Sequence, residues 1–239
     1  MKRCFSLSPR LQAVADLVSP NQPLVDIGTD HGQLPVWLIL QKIIPCAIAT
    51  DLRPGPLSRA QALAKRWEIR EDQLSFRLCD GLRSISPQEA ATVTIAGMGG
   101  ETIADILAAA SWIREPGHQY ILQAMSGMDG LRRYLSSAGF SIVKEVLVEE
   151  GDTLYVILLA EPGGGKRLTE GEIWVGQQTQ FLDAPLRSRY LEQELLKLRR
   201  AVVGLEQSQR PEDQEKKKWY ELAAWEVSQM KKEWDQWQA

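Results

Sequence analysis

Between Leu24 and Pro162, short apolar runs alternate with longer amphipathic stretches. Leu24-Val25-Asp26-Ile27-Gly28 reads as a buried strand ending in glycine. Leu34 to Ile44 reads as a helix stopped by Pro45, and Cys46 to Asp51 as a second strand. Leu57 to Trp67 carries Leu57, Ala60, Leu63, Ala64 and Trp67 on one helical face. Leu74–Leu78, Thr92–Ala96 and Tyr120–Gln123 predict three more strands, and Glu101–Ala110 and Gly130–Ala138 two more helices. This alternation is what a parallel sheet covered by helices on both faces requires. It then breaks: Ser141–Val148 and Thr153–Ala160 are separated only by Glu149-Glu150-Gly151-Asp152. Four residues cannot hold a crossover helix, so these two strands are expected to pair antiparallel.

Pro162-Gly163-Gly164-Gly165-Lys166 is a flexible break and the expected domain boundary, dividing residues 1–162 from 166–239. Beyond it Leu191, Leu195, Leu198, Val202 and Leu205 form a heptad seam. Gln207–Arg210 reads as a turn, and Pro211-Glu212-Asp213 opens a new helix with proline and acids in its first turn. Tyr220, Ala223, Val227, Met230, Trp234 and Trp237 continue a matching seam. Together they predict an antiparallel, coiled-coil-like helical hairpin with arms about 30 Å long at ~1.5 Å per residue. Packing between the arms accounts for the heptads and the tryptophans without invoking a ligand.

The 239 residues carry 28 Lys and Arg against 31 Asp and Glu, a net charge of -3, which excludes coating nucleic acid by bulk charge. The deficit lies in residues 1–165, with 15 basic and 18 acidic residues, whereas 166–239 hold 13 of each. A neutral tail can still present one basic face. Two histidines and three cysteines, without CxxC or HxxxH spacing, predict no metal site and a reducing compartment. No run reaches the roughly 18 apolar residues of a membrane span, and no apolar segment follows Lys2-Arg3, so the expected location is the cytoplasm.

Asp26-Ile27-Gly28-Thr29-Asp30-His31-Gly32 falls at the carboxyl end of the first strand, where open α/β sheets bind ligands. Asp30 stands where a dinucleotide fingerprint has its second glycine, so a pyrophosphate would meet like charge. A sulfonium cofactor with an ammonium tail suits these acids instead. Asp51, at the end of the second strand, is placed to accept both hydroxyls of an adenosine ribose. Asp80-Gly81, at the end of the third, offers a carboxylate near the adenine amino group. Taken singly each acid is an ordinary turn residue; the signal is three of them at the ends of successive strands. Ala96-Gly97-Met98-Gly99-Gly100 lacks the G-K-[ST] of a phosphate loop and reads as close backbone approach, with Met98 as an apolar wall. Gln123 ends the fifth strand as a candidate partner for an acceptor base. The strand pattern with its closing antiparallel pair points to the methyl transferases that bind S-adenosylmethionine on a doubly wound sheet.

The runs Asp26-Ile27-Gly28-Thr29-Asp30-His31, Leu34-Pro35, Thr94-Ile95-Ala96-Gly97-Met98-Gly99-Gly100 and Ile121-Leu122-Gln123 resemble the bacterial tRNA (adenine-22-N1)-methyltransferase family. Leu7-Ser8-Pro9-Arg10-Leu11 and the helical tail fit as well, so the resemblance covers nearly the whole chain. It implies a Rossmann-like class I methyltransferase domain with a C-terminal helical extension, using S-adenosylmethionine to methylate N1 of one adenine in the tRNA D-loop. The family's usual Pro-Asn after Leu-Gln is here Ala124-Met125, Gly32-Gln33 follow Asp30-His31 where small and aromatic residues are common, and Asp51 stands for its usual Glu.

Under this reading Asp26, Gly28, Asp30, Asp51, Asp80, Gly81, Ala96, Gly97, Met98 and Gly99 are expected to hold the cofactor. Asp30 is the first candidate to face the cationic product base, with His31 beside it. Arg10 is expected on a target phosphate or the cofactor carboxylate, and Gln123 on the base. Lys166, Arg167, Arg199, Arg200, Lys216, Lys217 and Lys218 are the expected tRNA contacts, with Arg187, Arg189 and Lys197 further cations on the tail; a solvated helix face is the ordinary reason for such residues. The expected assembly is a monomer or weak dimer, with no membrane and no metal. Two other classes stay open: a small-molecule methyl transferase whose hairpin is a dimerisation or lid element, and a non-catalytic cofactor- or RNA-binding relative.

Overall fold

The computed structural model describes residues 5–181, 185–206 and 208–237. Met1 to Cys4, and Gln207 of the expected turn, lie outside them. Strands β1 (Leu24–Ile27), β2 (Ala47–Asp51), β3 (Leu74–Leu78), β4 (Thr92–Gly99), β5 (Gln119–Ser126), β6 (Phe140–Glu150) and β7 (Thr153–Pro162) form one sheet in the order β3-β2-β1-β4-β5-β7-β6. The first five run parallel, and β7 inserts antiparallel between β5 and β6. Helices α1 (Pro9–Ala15), α2 (Gln33–Leu40) and α3 (Pro54–Arg66) cover one face, over a core that includes Val14, Leu34, Leu38 and Ile121. Helices α4 (Gly100–Ala108) and α5 (Met128–Ser137) cover the other, over Val93, Ile95, Ile103 and Leu122.

The helix ends have local causes. Ser8 caps α1 by accepting from the Leu11 N–H, with Pro9 in the first turn, a start the apolar pattern alone did not predict. Helix α2 stops at Leu40, before the expected Pro45. Lys42 turns into the left-handed region (φ 60°), Lys42 N–H bonds Ile39 O and Ile43 N–H bonds Leu38 O, closing a Schellman motif. Helix α3 begins at Pro54, one turn earlier than its apolar face, because proline suits the first helical position.

After β7 comes a short helix that the heptads did not announce, α6 (Glu170–Val175), started by a Thr169/Glu172 capping box. It packs against α5 and the last helix. The hairpin itself is α7 (Arg187–Leu205) and α8 (Pro211–Trp237), and α8 is the longer arm at 27 residues. Leu191, Leu198, Ala223, Val227 and Trp234 are buried along the seam. Trp237 has seam spacing yet is 54% exposed. Ser188 already faces Asp235 near the start of α7, so Trp237 has passed the end of its partner helix. The apolar cluster runs unbroken from Leu122 and Leu135 to Leu191, Ala223 and Trp234. At this junction Arg132 and Glu145 form a fully buried pair 2.7 Å apart. Arg132 also donates to the Ile173 and Trp174 carbonyls, and Arg187 to those of Val175 and Gly176. Arg187, one of the cations counted on the helical tail, is therefore withdrawn from the surface.

Candidate active site

The carboxyl ends of the parallel strands open onto a cleft of about 720 Å³. Asp26 stands in it near the end of β1, almost fully buried. Thr94 on neighbouring β4 donates a 2.7 Å hydrogen bond to its carboxylate. Burial pushes the Asp26 pKa up to about 6, against the pull of that hydrogen bond. Gly28 follows with φ 69°, a left-handed turn that glycine takes without strain, and a side chain there would push the Met98 methyl aside. Asp51 ends β2, also buried, and accepts the Arg53 N–H at 2.9 Å. Leu52 beside it is 67% exposed on the cleft wall. Asp80 and Gly81 line the same cleft after β3; Asp80 is exposed, 3.4 Å from Arg83.

Asp30 and His31 reach the rim. Asp30 takes a left-handed backbone (φ 49°), accepts from Arg59 at 2.7 Å and lies 3.5 Å from His31 Nε2. Both side chains are about half exposed. Beyond them β4 bulges at Gly97, breaking its register with β5. Gln123 repairs that break from β5: its amide oxygen accepts the Gly97 N–H at 3.0 Å and Arg10 Nη1 at 2.7 Å. Its amide nitrogen donates to the Ala124 carbonyl. Gln123 is fully buried and does not line the cleft, so it holds Gly97 and Arg10 in place from behind. Ala96, Gly97 and Met98 line the cleft; Gly99 instead caps α4 and does not. Arg10 lines it too, and its Nε is buried without a hydrogen-bond partner.

Ser8, Gln33, Thr102, Ile106 and Glu150 also line the cleft, and the sequence pattern does not single them out. For Ser8 a signal exists, as a Ser-Pro helix start. Glu150 is visible in the sequence only as one of four residues too few for a crossover helix.

S-adenosylmethionine fits these residues. Asp51 offers ionisable oxygens at the ribose position of a doubly wound sheet, the Asp26 carboxyl stands within the cleft, and Leu52, Met98 and Ile106 supply apolar walls. Among the described residues no group of His, Cys, Asp and Glu is arranged to hold a metal ion, Cys46 and Cys79 are free thiols, and no helix is long and apolar enough to cross a membrane. Of the cations on the tail, Arg199 and Arg200 on α7 and Lys216 to Lys218 on α8 all lie within about two turns of the hairpin tip. Lys216 sits over the Tyr220 ring, Lys217 is 3.5 Å from Glu221, and Arg199, Arg200 and Lys218 are exposed. Lys166, 3.8 Å from Glu172, and exposed Arg167 lie at the base, before α6. Arg189 and Lys197 are paired with Glu149 and Glu194.

Residues 7–158 match the family model of the methyltransferase domain. The chain is 35% identical over 159 residues to the tRNA (adenine(22)-N(1))-methyltransferase of Bacillus subtilis strain 168, a match spanning 66% of each protein and so just under two thirds of that relative's length. The crystal structure of the B. subtilis m1A22 tRNA methyltransferase TrmK superposes with a TM-score of 0.83 at 27% identity, covering 95% of this chain and 99% of that one. M. capricolum TrmK, solved with the cofactor product S-adenosylhomocysteine, gives a TM-score of 0.75 at 26% identity, covering 98% and 99%.

Proposed function

Since the chain belongs to the bacterial tRNA (adenine-22-N1)-methyltransferase family, we propose that it methylates N1 of adenine 22 in the tRNA D-loop, using S-adenosylmethionine. The observation that carries this reading is the single cleft shared by the strand-end acids Asp26 and Asp51 and by Gly97, Met98 and Arg10. When bound, S-adenosylmethionine supplies an electrophilic methyl group on a sulfonium. Adenine N1 already has a free lone pair, so the chain has no proton to remove. Its task is alignment and charge stabilisation as the N–CH₃ bond forms, the S–CH₃ bond breaks with its electron pair left on sulfur, and positive charge passes to the base. Asp51 binds the ribose hydroxyls, Asp26 faces the ammonium, Asp80 lies by the adenine ring, and Met98 walls the reacting centre. Asp30, with His31, stands at the rim as a counter-charge for the entering base. The target adenine has to leave its place in the folded tRNA to reach this cleft.

Residues 1–162 hold the cofactor in this reading, and 166–239 hold the tRNA through Lys166, Arg167, Arg199, Arg200 and Lys216 to Lys218. The protein acts as a monomer or weak dimer in the cytoplasm. The test is transfer of labelled methyl to unmodified tRNA transcripts, followed by mapping of the modified nucleotide. Methylation at N1 of adenine 22, abolished in a transcript with guanine there, is expected; no transfer, or transfer elsewhere, overturns the proposal. Neutralising Arg199, Arg200 and Lys216 to Lys218 together is expected to weaken tRNA binding and to flatten its salt dependence by about 0.7–0.9 for each phosphate no longer neutralised. An unchanged slope places the RNA surface elsewhere.

A further inference from the structure

Strand β7 runs antiparallel to β5, and β6 antiparallel to β7, so β6 points the same way as the five parallel strands. Its last residue, Glu150, therefore emerges on the carboxyl edge and lines the cleft. Along that edge the strand order places Asp80, Asp51 and Asp26 to one side of Gly97 and Glu150 to the other. The Glu150 carboxylate accepts the Arg10 N–H at 2.9 Å. A hydrogen bond from the Ser8 hydroxyl, and after it the Arg10 N–H, hold its pKa below the usual carboxylate range, so it stays ionised. Arg10 is fixed in turn by Gln123 at 2.7 Å and lies over the Tyr155 ring at 5.6 Å.

Apart from the neutral hydroxyls of Ser8 and Thr102, a base entering on this side meets few other acceptors. The bulge of β4 presents Ala96, Gly97 and Met98, none with a polar side chain except the weakly accepting sulfur. Gln123 is buried, its amide engaged by Gly97, Arg10 and Ala124. Asp30, paired with Arg59, follows β1 and so stands on the opposite side of Gly97 from Glu150.

We propose that Glu150 is the specificity-determining residue for the acceptor base, its carboxylate accepting a hydrogen bond from the 6-amino group of the target adenine. This rests on the proposed function. The amino group lies next to N1 on the same base edge, so one contact selects the base and orients the attacking nitrogen. Guanine or hypoxanthine would turn an oxygen lone pair toward the carboxylate and be rejected. As positive charge builds on the base its amino hydrogens become better donors, so the contact strengthens in the transition state.

The test is a double-mutant cycle between protein and substrate, with tRNAs synthesised to carry adenine or purine (which lacks the 6-amino group) at the target position. Glu150→Ala is expected to lower kcat/KM on the adenine tRNA by about tenfold or more, with little further loss on the purine tRNA. Cofactor affinity by calorimetry is expected to stay within about twofold of wild type. Glu150→Gln keeps an oxygen for the Arg10 N–H, so it covers a folding failure of the alanine variant and is expected to show the same coupling in weaker form. Equal losses on both tRNAs in the two variants would assign Glu150 a structural role and overturn the inference alone. A wild-type protein that leaves adenine 22 unmethylated overturns the inference together with the function it rests on.

Discussion

The cleft and the junction between sheet and hairpin both bury charged side chains, and they satisfy them in opposite ways. At the junction, Glu145 meets Arg132 at 2.7 Å, and the remaining Arg132 donors end on the Ile173 and Trp174 carbonyls. Burial works against the Arg132 charge, but Glu145 more than offsets it and holds the guanidinium protonated. In the cleft, Asp26 is buried with the Thr94 hydroxyl and no cation, and its pKa rises to about 6. Arg10 keeps a buried Nε without a partner. Charges matched within the chain serve rigidity; charges matched only in part await a ligand. The junction locks the hairpin to the sheet, whereas the cleft keeps its electrostatic capacity for what enters it.

The sharpest break of this contrast is Glu145→Ala, which strands Arg132 without its counter-charge. It is expected to cost about 3–5 kcal/mol of stability in urea unfolding, with cofactor affinity of the folded protein unchanged. A loss below about 1 kcal/mol would show that the pair is not matched as described. Asp26→Asn is expected to act the other way. The folded-state pKa lies above the usual 3.8, so the folded chain keeps this proton longer than the unfolded one. Stability then falls as pH rises from about 4 to about 6, and the penalty, up to about 3 kcal/mol, persists above that. Asparagine removes it: the cofactor-free variant should melt higher than wild type at pH 8 and near wild type at pH 4. Cofactor affinity of wild type should rise with pH through about 6, as the carboxylate forms to meet the ammonium, and the variant should lose that dependence. A flat calorimetric pH profile in wild type would remove Asp26 from the ammonium site.

Asp51→Asn is expected to weaken S-adenosylmethionine binding by about 1.5–3 kcal/mol, roughly tenfold to 150-fold, while leaving the melting temperature nearly unchanged. A matched loss of stability would move Asp51 to the structural group. The smallest effect belongs to Arg133→Ala. Arg133 bonds Glu170 through Nη1 and Nη2 and so also links α5 to α6, but its side chain is half exposed. Solvent screens such a pair, and a cost of about 0.5 kcal/mol or less is expected. A cost near that of Glu145→Ala would show that burial is not what separates the two links.

Much of this molecule could be read from its pattern. The seven strands, the antiparallel closing pair, the two long helices and the acids at successive strand ends follow from periodicities of two and 3.6 and from loop lengths. Asp26, Asp51, Asp80 and Gly97 were legible because a strand end is a local feature. Gln123 was legible as an amide at a strand end; that its oxygen accepts the N–H of Gly97, where β4 breaks register, depends on how two strands meet in space. Helix α6 escaped because six residues complete too few turns to establish a period. Trp237 matched the seam by spacing, and the length of the partner helix decided its exposure.

The chain by itself determined the sheet, its order of helices and strands, and the chemistry available at its carboxyl edge, since these depend on residues near one another in sequence. Tertiary structure alone decided which distant groups share an environment. It joined Arg10 to Glu150 and Gln123, buried Arg187 away from solvent, and set Glu150 across the cleft from Asp51. Hydrogen bonding and burial act over a few ångströms of space whatever the separation along the chain, and more than one hundred residues lie between these partners.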